Sequence, residues 1–118
     1  MEEKDAQSRP ASGPGSSLSY GSYLKVPELL SLQRRLSSPP EHDELLFIVI
    51  HQVYELWFRQ MIHEIEAIRE AATEGDARRC RQLFRRLIEI QRVLLQQIAV
   101  LETMTPVDFA RFREHLNP

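Results

Sequence analysis

EHDELLFIVIHQVYELWFRQMIHEIEAIREAATEG, residues 41–75, holds no proline, and its only glycine is its last residue. Within it Phe47, His51, Tyr54, Phe58, Ile62 and Ile65 recur at steps of three and four. So do Leu46, Ile50, Val53, Trp57 and Met61. That period places each set on one stripe of an α-helix. The stripes adjoin, so the apolar face is wide and its N-terminal half is expected to be nearly surrounded. The pattern predicts a helix over 41–74, ~50 Å long at 1.5 Å per residue, with Gly75 as its C-terminal cap.

Working outward, Asp76 is placed to cap a second long helix over about 77–102. Its stripe is Leu83, Leu87, Ile90, Leu94, Ile98 and Leu101. The short turn at Gly75 makes the two helices an antiparallel hairpin. Thr105-Pro106-Val107-Asp108 reads as a third helix start: threonine at the cap, proline inside it, and an acid that reaches back. This piece is expected to carry Phe109, Phe112, Arg113 and Leu116 on one face. Upstream, Pro39-Pro40 closes a loop, and Pro27 opens a short helix from Glu28 to about Gln33. Leu18 to Leu24 sets Tyr20 and Tyr23 around a flexible Gly21-Ser22 pair. Residues 1–17, rich in Ser, Pro, Gly and charge, are expected to be a disordered leader. The remaining 18–118 reads as one helical portion. The expected class is therefore all-α, a long antiparallel hairpin with short flanking helices. A hairpin cannot cover two wide apolar faces by itself, so it is expected to be part of a larger helical fold, its cover coming from other chains or from further polypeptide.

Composition narrows the function. The chain has 118 residues, of which 27% are charged, with a formal net charge of −2. That balance gives no electrostatic reason to expect nucleic acid or an anionic membrane as partner. Cys80 is the only cysteine, so no intrachain disulfide forms, which fits a reducing, cytoplasmic setting. The N-terminus begins with acids and has no apolar core, so it does not read as a signal peptide. The longest apolar run, Leu45 to Ile50, is far too short to span a bilayer.

His51 is the sharpest candidate for chemistry. It stands between Phe47 and Tyr54 in an apolar stripe, where a helix ordinarily carries leucine. It is either a core histidine bonded to a neighbour or a proton acceptor or donor facing a cavity. Glu55, Arg59 and His63 follow at four-residue steps, the spacing of a solvated edge of ion pairs. Metal motifs are absent: no Glu lies three residues before a histidine, and His63-Glu64 is not followed by a second histidine. His42 reads as surface, and His115 has no evident partner. Arg113, beside Phe109 and Phe112, is either a stem lying over aromatics or a guanidinium that clamps a carboxylate at an aromatic-walled pocket. Tyr20 and Tyr23 are either an anchor for the leader or an aromatic arm that completes a neighbour's pocket.

Three segments, YGSYLKVPELLSLQ from Tyr20, HDELLFIVIHQVYELWFRQ from His42 and QQIAVLETMTPVDFARFREHL from Gln96, resemble in order and spacing the tryptophan 2,3-dioxygenase family. The resemblance runs from about Tyr20 to Pro118. It implies a helical homotetramer using haem b to insert both atoms of dioxygen across the indole double bond of L-tryptophan, giving N-formylkynurenine and opening the kynurenine pathway. It implies that Phe47, Ile48, Val49, Ile50 and His51 line the substrate pocket, with His51 distal and within reach of the indole N–H. It implies that Arg113 holds the substrate carboxylate, that the substrate-binding Phe109 matches a position that is Tyr or Phe in the family, and that Phe112 is a pocket wall. Tyr20, Tyr23 and Leu24 match the segment that enters a neighbouring subunit's pocket. The family's iron-ligating histidine and closing loop lie in a later part, and none of His42, His51, His63 or His115 matches that ligand. No metal ligand is therefore assigned, and the chain is expected to be truncated and inactive alone. The alternative reading is a non-catalytic helical oligomerisation or ligand-binding module.

Overall fold

The computed structural model describes residues 18–116. The leader expected at 1–17 lies outside the described residues. Among those described, every regular element is a helix, which establishes the all-α class. The chain divides between Leu32 and Gln33 into two units.

The first unit carries two short helices, α1 (Tyr20–Leu24) and α2 (Val26–Leu29). Here the structure departs from the sequence expectation twice. The Gly21-Ser22 pair is helical, because Ser19 and Ser22 form a reciprocal capping box: the Ser22 N–H donates to Ser19 Oγ and the Ser19 N–H to Ser22 Oγ, each at 3.1 Å. Lys25, with a left-handed φ of 56°, then separates α1 from α2. α2 begins at Val26 and stops at Leu29, short of the expected Gln33. Both the N–H and the hydroxyl of Ser31 donate to the Glu28 carbonyl, at 3.1 and 2.7 Å. That tightens the chain to an i to i+3 turn and ends the helix.

The second unit begins with a strap, residues 33–40, followed by α3 (His42–Thr73), α4 (Ala77–Leu101) and α5 (Pro106–Ala110). A single 3-10 turn, Arg113–His115, follows α5. α3 ends as the glycine predicts. Gly75 takes a φ of 74°, its N–H donates to the Ala72 carbonyl at 3.1 Å, and the Asp76 N–H donates to the Ala71 carbonyl at 2.8 Å, a Schellman closure. Asp76 then accepts from the Arg79 N–H at 3.0 Å and starts α4.

α3 and α4 pack as the antiparallel hairpin. Ile50 and Ala71 from α3 meet the buried interior with Leu83 and Ile90 from α4. Polar contacts also tie the helices together, among them the Cys80 thiol to the Ile68 carbonyl at 3.8 Å. The Tyr54 hydroxyl donates to the Leu94 carbonyl at 2.8 Å. Glu64, nearly fully buried, takes Arg86 Nη1 at 3.3 Å and a hydrogen bond from the Gln60 amide. A carboxylate shut away from water needs such partners. The Phe47 stripe of α3 is covered chiefly at its N-terminal end. Phe47 lies under aromatic rings, whereas Phe58, Ile62 and Ile65 are exposed, as are Phe84 and Ile88 on α4. The hairpin thus leaves apolar area open, as the width of the faces implied. No helix among the described residues is long and apolar enough to cross a membrane.

The third piece starts as expected. Thr105 Oγ1 accepts from the Asp108 N–H and Asp108 Oδ2 accepts from the Thr105 N–H, each at 3.1 Å. Those bonds to Thr105, backbone first, draw the Asp108 carboxyl below its ordinary range. The helix does not continue through Leu116, however. Phe112 leaves helical geometry (φ −128°, ψ −4°) and its ring is fully buried, while Arg113 is exposed on the 3-10 turn. Phe112 and Arg113 therefore do not share the expected helical face. Burying a whole phenylalanine contributes ~1.5–3 kcal/mol, more than a turn of an isolated five-residue helix offers.

Candidate functional site

The N-terminal third of α3 and the α5 segment converge on a cluster of rings. Phe47 and Phe109 have centroids 5.7 Å apart, Phe47 and Phe112 5.5 Å, and Phe109 and Phe112 5.5 Å. The last two pairs meet edge to face, an arrangement the ring quadrupoles favour. His51, one turn on from Phe47, lies over that ring with centroids 4.2 Å apart and planes tilted by 35°. The cluster forms because α5 begins within reach of α3 and the Thr105–Asp108 box fixes its direction.

His51 Nδ1 lies 2.8 Å from the Phe47 carbonyl oxygen. A carbonyl oxygen can only accept, so Nδ1 carries the proton in the neutral ring. Nε2 is then a lone pair. His51 is exposed, and its Nδ1 is the ring atom held by α3. An imidazole so fixed presents an acceptor to whatever N–H approaches the aromatic wall.

The base of the site is set by acids of the first turn of α3. Glu44 is almost wholly buried, and its carboxylate accepts from the Leu36 N–H at 2.7 Å, the Ser37 N–H at 3.0 Å and the Ser37 hydroxyl at 2.5 Å. Ser37 Oγ accepts in turn from the Glu41 N–H at 2.9 Å. Burial alone would push the Glu44 carboxyl up; the donors from Leu36 and Ser37, helped by the charge of His115, outweigh it and hold the group below its ordinary range. Arg111 approaches Glu41 at 3.8 Å, a loose, half-exposed pair.

The structure brings four of the sequence-derived candidates together: Phe47, His51, Phe109 and Phe112. Arg113 follows Phe112 directly and is exposed, and its side chain makes no hydrogen bond or ion pair with the described residues. Ile48 is half-buried beside this group, Val49 is exposed on another side of α3, and Ile50 points into the hairpin core. Five consecutive helical residues go more than once round the axis, so they do not face one way. Tyr20, Tyr23 and Leu24 are exposed on the first unit, at 79%, 70% and 45%, as side chains seeking cover would be. Glu55, Arg59 and His63 are exposed along α3 without an ion pair between them.

Sequence reading missed the two buried acids. Glu44 shares a face with Phe47 and His51, three and seven residues on, and Glu64 follows Trp57 and Met61 in the row that faces α4. An acid in an apolar row was the signal available at both positions. Among the described residues no group of three or more His, Cys, Asp or Glu side chains could hold a metal ion.

Comparison with known proteins agrees with this geometry. The model of the family described as tryptophan 2,3-dioxygenase matches residues 2–118. A tryptophan 2,3-dioxygenase of a Nocardioides species is 55% identical over 108 residues, covering 88% of this chain and 40% of the relative. One from Herpetosiphon aurantiacus is 52% identical over 99 residues, covering 84% and 38%. One from Dictyostelium discoideum is 50% identical over 107 residues, covering 84% and 27%. The chain spans about two fifths or less of the length of these relatives. A match along nearly the whole chain, at such identity and with the aromatic and histidine positions gathered in space, leaves one assignment: the chain belongs to the tryptophan 2,3-dioxygenase family.

Proposed function

We infer that this chain provides the substrate-orienting side of a dioxygenase that opens the indole ring of L-tryptophan to N-formylkynurenine. The observation that carries the reading is the pairing of the Phe47–Phe109–Phe112 wall with a histidine whose Nε2 is left as an acceptor. An indole is flat and apolar and bears one N–H donor. Phe47 and Phe109, the rings of the wall that are not fully buried, take its face by stacking, with Phe112 backing them, and His51 Nε2 takes its N–H. The free guanidinium of Arg113 pairs with the amino acid carboxylate, as a planar two-pronged donor does best. His51 is the catalytic candidate in this scheme: it orients the indole and can hold its proton. Tyr20, Tyr23 and Leu24 close the pocket of a neighbouring copy in a homotetramer, which gives their exposure a purpose. The working location is the cytoplasm.

The described residues do not fit a haem by iron ligation. His42, His51, His63 and His115 are all exposed, and none stands in an enclosed apolar slot. Dioxygen activation belongs to haem b by family, and the residues here bind and orient the amino acid.

The test is ligand discrimination by the chain, read by NMR titration. L-Tryptophan should shift His51 and Phe112 signals. 1-Methyl-L-tryptophan, which lacks the N–H, should bind more weakly, and tryptamine, which lacks the carboxylate, weaker still. Equal binding of all three would remove both His51 and Arg113 from the scheme.

A further inference from the structure

The strap over residues 33–40 is pinned to α3 at two places. At one end Gln33 Nε2 donates to Gln52 Oε1 at 2.8 Å. At the other, Leu36 and Ser37 donate to Glu44. The spacings agree. Eight helical residues, Glu44 to Gln52, rise about 12 Å, and the four residues from Gln33 to Ser37 span about 13 Å when extended. The strap therefore runs extended and antiparallel beside the first turns of α3.

Its course relative to His51 follows from the helix period. At about 100° per residue, Glu44, Ile48 and Gln52 form a row that drifts about 40° per step, and Phe47 sits about 60° to the other side of Glu44. His51 lies between, about 40° from Phe47 and about 100° from Gln52. The aromatic wall contacts the Phe47 side, and the strap is bonded to the Glu44–Gln52 row, on which Ile48 is half-buried. His51 stays exposed along the line between them.

We propose that the strap is a second wall beside His51, facing the aromatic one, that Glu44 and Gln52 are its positioning residues, and that their pins set the width available to a flat aromatic amino acid. This rests on the reading of His51 and Arg113 given above and adds to it the feature that sets ring size. Glu44 does not touch the ligand; it acts through the backbone of Leu36 and Ser37.

The experiment is an NMR titration of the chain with L-tryptophan and with the bulkier 5-methoxy-L-tryptophan, for the native sequence, Glu44→Gln and Gln52→Ala. In the native chain L-tryptophan should shift the Leu36 and Ser37 amides together with the His51 ring, at one common Kd. Each variant should narrow the preference for L-tryptophan over 5-methoxy-L-tryptophan by about tenfold. A loss of stability alone would weaken both ligands alike and leave that ratio in place. If Glu44→Gln does not fold, Gln52→Ala loosens only the far pin and decides the matter. Movement of His51 without movement of the strap amides, or an unchanged ligand ratio in both variants, overturns the proposal and leaves the functional reading standing. Absence of any shift at His51 in the native chain overturns both.

Discussion

Replacing Glu44 by alanine removes the acceptor for three donors, the N–H groups of Leu36 and Ser37 and the Ser37 hydroxyl. Hydrogen bonds to a charged group contribute ~1.5–3 kcal/mol each. Leu36 is exposed, so water can replace its bond, whereas Ser37 is buried and its two donors are orphaned. The expected loss is ~3–5 kcal/mol, which combines two orphaned donors with the space left by the side chain. Glutamine keeps one acceptor oxygen but turns an NH2 toward a donor, so Glu44→Gln should cost less, ~1.5–3 kcal/mol. The pH dependence separates charge from shape. The folded Glu44 carboxyl lies below the ordinary 4.5. A depressed carboxyl stabilises the fold fully above its unfolded value, and the contribution is lost as pH falls through the folded value. Urea unfolding followed by circular dichroism at a series of pH values should show the native chain most ahead of Glu44→Gln near neutrality. The gap should close as pH drops below about 4.5. A gap that is constant with pH, or an alanine cost under ~1 kcal/mol, would show that the carboxylate does not hold the strap.

Three further outcomes follow from the same geometry. Phe112→Ala should lower unfolding free energy by ~3–5 kcal/mol in urea titrations, because a fully buried ring leaves a cavity against Phe47 and Phe109. Arg113→Ala should leave stability within ~0.5 kcal/mol while weakening L-tryptophan binding, and Arg113→Lys should restore only part of the affinity, since a point charge cannot make the two-pronged contact; calorimetric titration reads the affinity. Gly75→Ala should cost ~1–2 kcal/mol in thermal or urea unfolding, because a Cβ is strained at a φ of 74° although nothing lies within 4 Å of it.

The hairpin was legible because each of its signals is local. Period-3.6 stripes, Gly75 and Asp76 act within one or two turns, and α3 and α4 end within two residues of the expected positions. The capping box at Thr105 was legible for the same reason. The Ser19–Ser22 box follows the same rule, but with serine in place of the usual Glu or Gln at its third helical position, and the Gly21-Ser22 pair inside it read as flexible. What sequence could not show was which neighbour wins at a contested position. Leu116 extends the helical pattern of α5, yet Phe112 abandons the helix to fill the space beside Phe47, a tertiary gain that no local propensity records. Glu44 stands in the first turn of α3, where any acid suits the helix dipole. Its partners are backbone groups of Leu36 and Ser37, and backbone donors leave no mark in a sequence.

Adjacent residues after Ala110 do opposite work. In a continuous helix Phe112 and Arg113 would sit about 100° apart on one cylinder, as the buried Leu83 and the exposed Phe84 do on α4. Here a 3-10 turn follows the buried ring, and the acids at the start of α3 do not draw Arg113 in. Glu44 is already saturated by the strap, and Glu41 has Arg111 beside it. Phe112 plugs the space between Phe47 and Phe109, and the 3-10 turn lifts Arg113 into the open with its charge unspent. Under the proposed function that exposed cation is the group that would meet a ligand's carboxylate. Glu44, held by the strap, and Glu41, beside Arg111, each have partners of their own, and neither pairs with Arg113.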